Sequence, residues 1–185
     1  MADPVTILGL CGSLRAASLN SMLLRAAARL APDGVRLEVY AGLGLLPLFN
    51  ADLEPTAVPA VAALRAALGA ASAVLIASPE YAHGVSGVMK NALDWMVGNE
   101  SFVGKPVALV NTSPRATLAE AALRETLVTM SACIVEDACL AVPLLGGGYT
   151  LETLVATRSL AGPIAHALAS LTAASRHRCA PSAGA

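Results

Sequence analysis

The sequence has few aromatic residues, few charges and no excess of either sign. Aromatics make up 3% and charged residues 14% of its 185 positions, against 56% hydrophobic residues. That balance supplies a sizeable core and excludes disorder. With 12 basic and 13 acidic residues there is no basic stripe, so neither general affinity for nucleic acid nor a surface built for anionic membranes is expected. No apolar run approaches the roughly 20 residues of a membrane span, and the start, MADPVTILGLCGS, carries Asp where a signal peptide would carry Lys or Arg. A cytoplasmic location is expected, which empties the two N-x-S matches at Asn99 and Asn111 of meaning as glycosylation sites. The cysteines at 11, 133, 139 and 179 form no C-x-x-C pair and no His stands at ligand spacing, so they read as small buried hydrophobes, with no metal site.

Three motifs are also missing. The stretch nearest to a Walker A loop, GNESFVGKP, has the wrong spacing and places Pro106 where a hydroxyl is required. No G-x-G-x-x-G follows a buried first strand, and HGVSG lacks the last glycine of a nucleophile elbow because Val88 stands there. His83 has no carboxylate assigned to orient it by sequence and is left out of catalysis; no catalytic acid or base is singled out. There is no internal repeat.

What is present alternates between strand and helix. VTILGLC, residues 5–11, is a short apolar run, followed by a Gly-Ser turn and a helical segment with Leu19, Leu23, Ala26 and Leu30 in register behind an N-cap at Ser18. VRLEVY, 35–40, alternates as a half-exposed edge strand does. AVLIAS, 73–78, and PVALVNTS, 106–113, are apolar throughout most of their length, as strands covered on both faces are. A fifth strand begins at Cys133. Val61, Leu64 and Leu68 mark one helix, Val85, Met89, Leu93 and Met96 a second, and Leu123, Leu127 and Met130 a third that Thr117 and Glu120 could open as a capping box. Gly162 and Pro163 kink the last helix or mark its start.

This pattern predicts an α/β, three-layer doubly wound fold with a five-stranded parallel sheet in the order 2-1-3-4-5, one domain over 1–175, and a loose tail over 176–185. Ligands of such sheets bind beyond the carboxyl ends of the strands, where the order reverses between the first and third strands. The loops after those strands, GSLRAAS and SPEYAHG, then lie side by side. In the first, Ser13, Ser18 and Asn20 add short polar groups to a helix N-terminus and Arg15 adds a guanidinium fork, a set that suits a phosphate monoester. Singly, Ser18 reads as an ordinary cap and Arg15 as a solvated residue; their company is what points to a ligand.

GSLRAASLN, 12–20, together with SPEYAHGVSGVMKNALDW, 78–95, resembles the NADPH-dependent FMN reductase family of flavodoxin-like proteins, which includes quinone, azo-dye and chromate reductases. The resemblance spans about residues 5–175. It implies a bound FMN whose 5′-phosphate is held at Ser13, Arg15, Ser18 and Asn20, with Pro79, Glu80, Tyr81 and Ala82 along the ribityl chain and ring, and with Ser113 of the third loop in the cofactor site. It also implies NADPH or NADH as co-substrate, a quinone, flavin or similar small-molecule acceptor served in a ping-pong cycle, and a homodimer or homotetramer. Two departures stand out. Family members commonly carry Asn at the position of Ala82, and the third loop, often Gly-rich, here reads TSPRA, 112–116. Lys90, Asn91, Asp94 and Trp95 are expected to serve capping, packing or subunit contacts, an exposed Trp95 favouring an interface. A flavodoxin-type electron carrier is the competing function; the balanced charge favours the enzyme, because such carriers tend to be strongly acidic.

Overall fold

The computed structural model describes residues 4–176. Its central parallel sheet contains β1 (Val5–Cys11), β2 (Val35–Val39), β3 (Ala73–Ala77) and β6 (Pro106–Asn111) in the order β2-β1-β3-β6. Two short strands, β7 (Cys133–Ile134) and β8 (Leu140–Ala141), both pair in parallel with β6, the first opposite Pro106 and Val107, the second opposite Val110 and Asn111. The expected fifth strand is therefore present but split, because the helical turn Glu136–Ala138 interrupts it. The order 2-1-3-4-5 holds, with β6 in the fourth place and the split strand in the fifth.

Alternation along the strands assigns each side chain to one of two cores. Ile7, Leu75, Ala77, Ala108 and Val110 face α1 (Leu19–Leu30), α5 (Leu151–Ala156) and α6 (Arg158–Arg176). Leu8, Leu10, Val74, Ile76, Val107 and Leu109 face α2 (Pro59–Ala70), α3 (Gly87–Met96) and α4 (Thr117–Thr129). Because the strands β1, β3 and β6 are covered on both faces, nearly all their residues must be apolar, as their sequences are. Only β2 keeps the alternating pattern: Leu37 is buried, while Arg36 and Glu38 pair across 2.8 Å on the exposed face. It lies at the sheet edge, as the sequence predicts.

Several local expectations change. Val85 belongs to a hairpin rather than to α3, which starts at Gly87 behind an N-cap at Ser86. Pro163 lies inside α6, which runs on to Arg176; the remainder of the expected tail lies outside the described residues. Cys11 and Cys139 carry free thiols, but Cys133 is disulfide-bonded, which corrects its reading as a packing residue; Cys179 lies outside the described residues. Trp95 is 1% exposed and offers no interface. Its indole donates to the Pro47 carbonyl at 2.8 Å and its ring meets Phe49 edge-on at 5.2 Å, so it pins the connector before α2. Asn91 assists, donating to Pro47 and accepting from the Phe49 N–H. Lys105, the lysine of the Walker-like stretch, caps α2 by donating to the Leu68 and Ala71 carbonyls.

Gly12 places the ends of β1 and β3 in contact. Its N–H continues the ladder to the Ala77 carbonyl at 2.8 Å, and a β-carbon at this position would fall 2.4 Å from Ser78 Oγ and 2.7 Å from Ser86 Oγ. Gly12→Ala is expected to lower stability by about 1–3 kcal/mol, the usual penalty of overpacking. Adding Ser78→Ala, which removes the nearest obstructing atom, should recover part of that loss in urea or thermal unfolding; equal stability of Gly12→Ala and the native chain would show that the seam is not tight.

Candidate functional site

The loops after β1, β3 and β6 lie in sequence across the carboxyl edge of the sheet. Adjacent strands are about 4.8 Å apart, so the three loops span about 10 Å. Between them opens a cleft of about 280 Å³. Four of the residues singled out from the sequence line it: Asn20, Pro79, Glu80 and Ser113. So do Ser78, Asn111, Thr112, Arg115 and Leu145, of which the sequence reading gave a site only through the neighbouring Ser113. Asn111 left a trace in the sequence, as the amide ending an otherwise apolar strand. Leu145 left none, since it arrives from beyond β8.

The remaining predicted residues flank the cleft without lining it. Ser18, 6% exposed, is the N-cap of α1: its hydroxyl accepts from the Ser21 N–H at 3.2 Å and also interacts with the Cys11 thiol. Ser13 is half-buried and its carbonyl accepts from the Cys11 thiol at 3.4 Å. Burial raises the Cys11 pKa, so this thiol is no ready nucleophile. Arg15 is exposed, and no carboxylate among the described residues pairs with it. Asn20, in the first turn of α1, is 6% exposed, and its Oδ1 has no hydrogen-bond partner in the protein. An orphaned buried polar atom on a cleft wall costs stability unless something else satisfies it.

Beyond β3 the chain makes a hairpin, β4 (Glu80–Tyr81) with β5 (Gly84–Val85), joined by Ala82 and His83. Both turn residues have positive φ, 49° and 61°, the pattern of a type I′ turn. Ala82 holds the left-handed region at a steric cost that an Asn there would lessen. Tyr81, 57% exposed, and the exposed Ala82 sit at the projecting end of this hairpin.

Glu80 turns inward instead. Its Oε2 accepts from the Ala119 N–H at 2.8 Å, so it caps α4 from a separate loop, and its Oε1 lies 3.2 Å from His83 Nδ1. The Ala119 hydrogen bond, helped by His83, holds this carboxyl below the ordinary carboxylate value. His83 thus has a carboxylate partner after all, but one committed to a helix end, in an exposed turn. The expected capping box of Thr117 and Glu120 does not form: Ala116 occupies the cap position, and Glu120 accepts from Asn111 Nδ2 at 2.9 Å and from Arg124 at 3.2 Å. Glu80 has taken the place the box would have filled.

The third loop is shaped by its own side chains. Asn111 Oδ1 accepts from the Ser113 N–H at 3.0 Å, Ser113 Oγ from the Arg115 N–H at 3.4 Å, and the Ser113 carbonyl from the Ala116 N–H at 3.0 Å. Arg124, gripped by Glu136 at 2.7 Å, anchors Glu120 behind Asn111.

Two predictions follow from the hairpin and its carboxylate. Ala82→Asn should stabilise the chain by about 1 kcal/mol in chemical unfolding, since it relieves a left-handed alanine; a loss of stability would contradict the turn assignment. Glu80 has a depressed pKa in the folded state, so its contribution is present above the unfolded carboxylate pKa, near 4.5, and fades as pH falls through the lower folded value. Glu80→Gln should therefore melt at a lower temperature than the native chain at pH 7, and the two melting curves should converge below about pH 4. A gap that stays constant down to pH 3 would mean that the carboxylate charge is not what caps α4.

Comparison with known proteins agrees with this geometry. The model of the family described as NADPH-dependent FMN reductase matches residues 5–145. The NAD(P)H-dependent FMN reductase of Pseudomonas aeruginosa is 40% identical over 134 residues, covering 69% of this chain and 72% of its own. A quinone reductase of Escherichia coli is 33% identical over 142 residues, 72% of this chain and 75% of its own. Among solved structures, FerB of Paracoccus denitrificans, a flavoenzyme NAD(P)H:(acceptor) oxidoreductase, superposes with a TM-score of 0.83 at 28% identity, covering 94% of this chain and 98% of that one. With its flavodoxin-like sheet, its cleft at the strand-order reversal and a family match spanning most of its length, the chain belongs to the NADPH-dependent FMN reductase family.

Proposed function

We propose that the cleft holds FMN and that the chain is an NAD(P)H-dependent oxidoreductase which passes electrons to a quinone, a flavin or a similar small acceptor. The observation that carries this reading is the buried, unpartnered Asn20 Oδ1 on the cleft wall, within the first turn of α1. When bound, FMN supplies the redox chemistry, accepting hydride from NADPH or NADH and yielding electrons to the acceptor at the same face in a ping-pong cycle.

The protein's part is binding, orientation and exclusion. The free N–H groups at the start of α1 and the Arg15 fork supply charge-assisted donors for the 5′-phosphate, and the hydroxyls of Ser13 and Ser18 donate beside them. The Asn20 Nδ2 group would donate to the same phosphate, while its unpartnered Oδ1, an acceptor, calls for a donor such as a hydroxyl of the ribityl chain. Pro79, Glu80, Tyr81 and Ala82 would present backbone along the ring, with the Glu80 carboxylate held by the Ala119 N–H at the start of α4. Ser113 and the ordered loop around it form the opposite wall. No side chain is required as acid or base.

We further propose a homodimer or homotetramer. Leu45, Leu48 and Phe49 are exposed on a connector that Asn91 and Trp95 hold in place, and a fixed apolar patch of this kind suits self-association.

The visible spectrum of the purified protein tests the reading. Flavin bands that bleach on anaerobic addition of NADPH are expected, and Arg15→Ala should weaken FMN affinity by about tenfold or more. Bands that persist with NADPH would indicate an electron carrier, and a colourless protein unable to take up FMN would overturn the assignment.

A further inference from the structure

We infer that Arg115 recognises an oxyanion carried by a visiting substrate, and so selects reaction partners that bear this group over analogues that lack it. The inference rests on the reading of the cleft as an FMN oxidoreductase site. Its starting point is an arginine without an ion-pair partner. Glu80 is matched by the Ala119 N–H and His83, and Glu120 by Asn111 and Arg124. Both carboxylates that approach the cleft are thus engaged by fixed partners other than Arg115. Arg115 lines the cleft, is exposed, and has no carboxylate partner among the described residues. The third loop therefore presents to the cleft a cation that no carboxylate among the described residues pairs with.

Position separates this cation from the phosphate end of the site. Arg15 follows β1 and Arg115 follows β6, with β3 between them, which puts their loops about 10 Å apart. A phosphate seated at the start of α1 leaves the Arg115 charge free for a second anion. The loop is also prepared for the task. Asn111 and Ser113 fix its backbone through three hydrogen bonds, so the guanidinium is presented from a rigid base, and a planar fork of this kind binds a carboxylate, sulfonate or phosphate through two donors. Leu145, exposed on the same cleft, adds an apolar surface beside the charge, which suits an aromatic acceptor bearing an acidic group. The 2′-phosphate of NADPH offers the same oxyanion chemistry from the other substrate.

Rapid-mixing kinetics of the two half-reactions distinguish these sources. Flavin reduction is measured with NADPH and with NADH, and flavin reoxidation with a sulfonated naphthoquinone and with its neutral parent. Arg115→Ala should reduce the ratio of kcat/KM for the partner that carries the additional oxyanion over the one that lacks it by about tenfold in one of the two pairs. Arg115→Glu should reduce it further, Arg115→Lys should restore part of it, and added salt should shrink it in the native chain. A change in the NADPH to NADH ratio assigns the oxyanion to the nucleotide, and a change in the quinone ratio assigns it to the acceptor. Normal FMN binding with both ratios unchanged overturns the inference and leaves the underlying reading intact. A rise in the FMN dissociation constant that accounts for the whole effect also overturns it, because Arg115 would then serve the cofactor. A native chain that takes up no FMN overturns the underlying reading, and this one with it.

Discussion

The site depends on the absence of a side chain at Gly12. β1 and β3 are hydrogen-bonded neighbours, but the helices that follow them pack on opposite faces of the sheet, so the chain diverges above and below at this point and leaves a crevice. To bring the two loops side by side at that crevice, the backbone leaving β1 must pass against Ser78 and Ser86, and no β-carbon fits there. Ser86 is at the same time the N-cap of α3, accepting from the Met89 N–H, so it cannot easily retreat. A single close approach thus fixes the start of α1, the exit of β3 and the start of α3 relative to one another.

Around that seam the walls of the cleft are tied together by polar side chains. Glu80 leaves the second loop to cap the helix that follows the third, and Asn111 uses both ends of its amide, one to shape the third loop and one to reach Glu120. These bonds stand where a family member with a glycine-rich loop would rely on backbone alone. The result is a cleft whose negative charges are all engaged and whose arginines are not, a distribution suited to phosphates and other oxyanions.

The elements themselves were legible because burial imposes a short period. Apolar runs in the strands covered on both faces, alternation in VRLEVY and helical spacing at Val61, Leu64 and Leu68 each follow from which faces meet a core, and the structure buries those three helix residues completely. The split fifth strand was less legible, since two residues on either side of a helical turn leave no period to detect. Trp95 stayed open for a related reason: packing and a subunit contact could not be told apart until the connector that covers the indole was in place.

What the sequence determined by itself was the order of strands and helices, the edge position of β2, and the two polar loops at the reversal of strand order, because each rests on contacts among neighbours in the chain or on the handedness of strand connections. It also carried four residues of the cleft, Asn20, Pro79, Glu80 and Ser113, by position. Only the tertiary structure decided what those residues do. The Glu80 carboxylate reaches a helix N-terminus 39 residues away, and Leu145 enters the cleft from beyond the last strand. Partnerships of that range depend on how loops are juxtaposed once the cores have formed, and no local period encodes them.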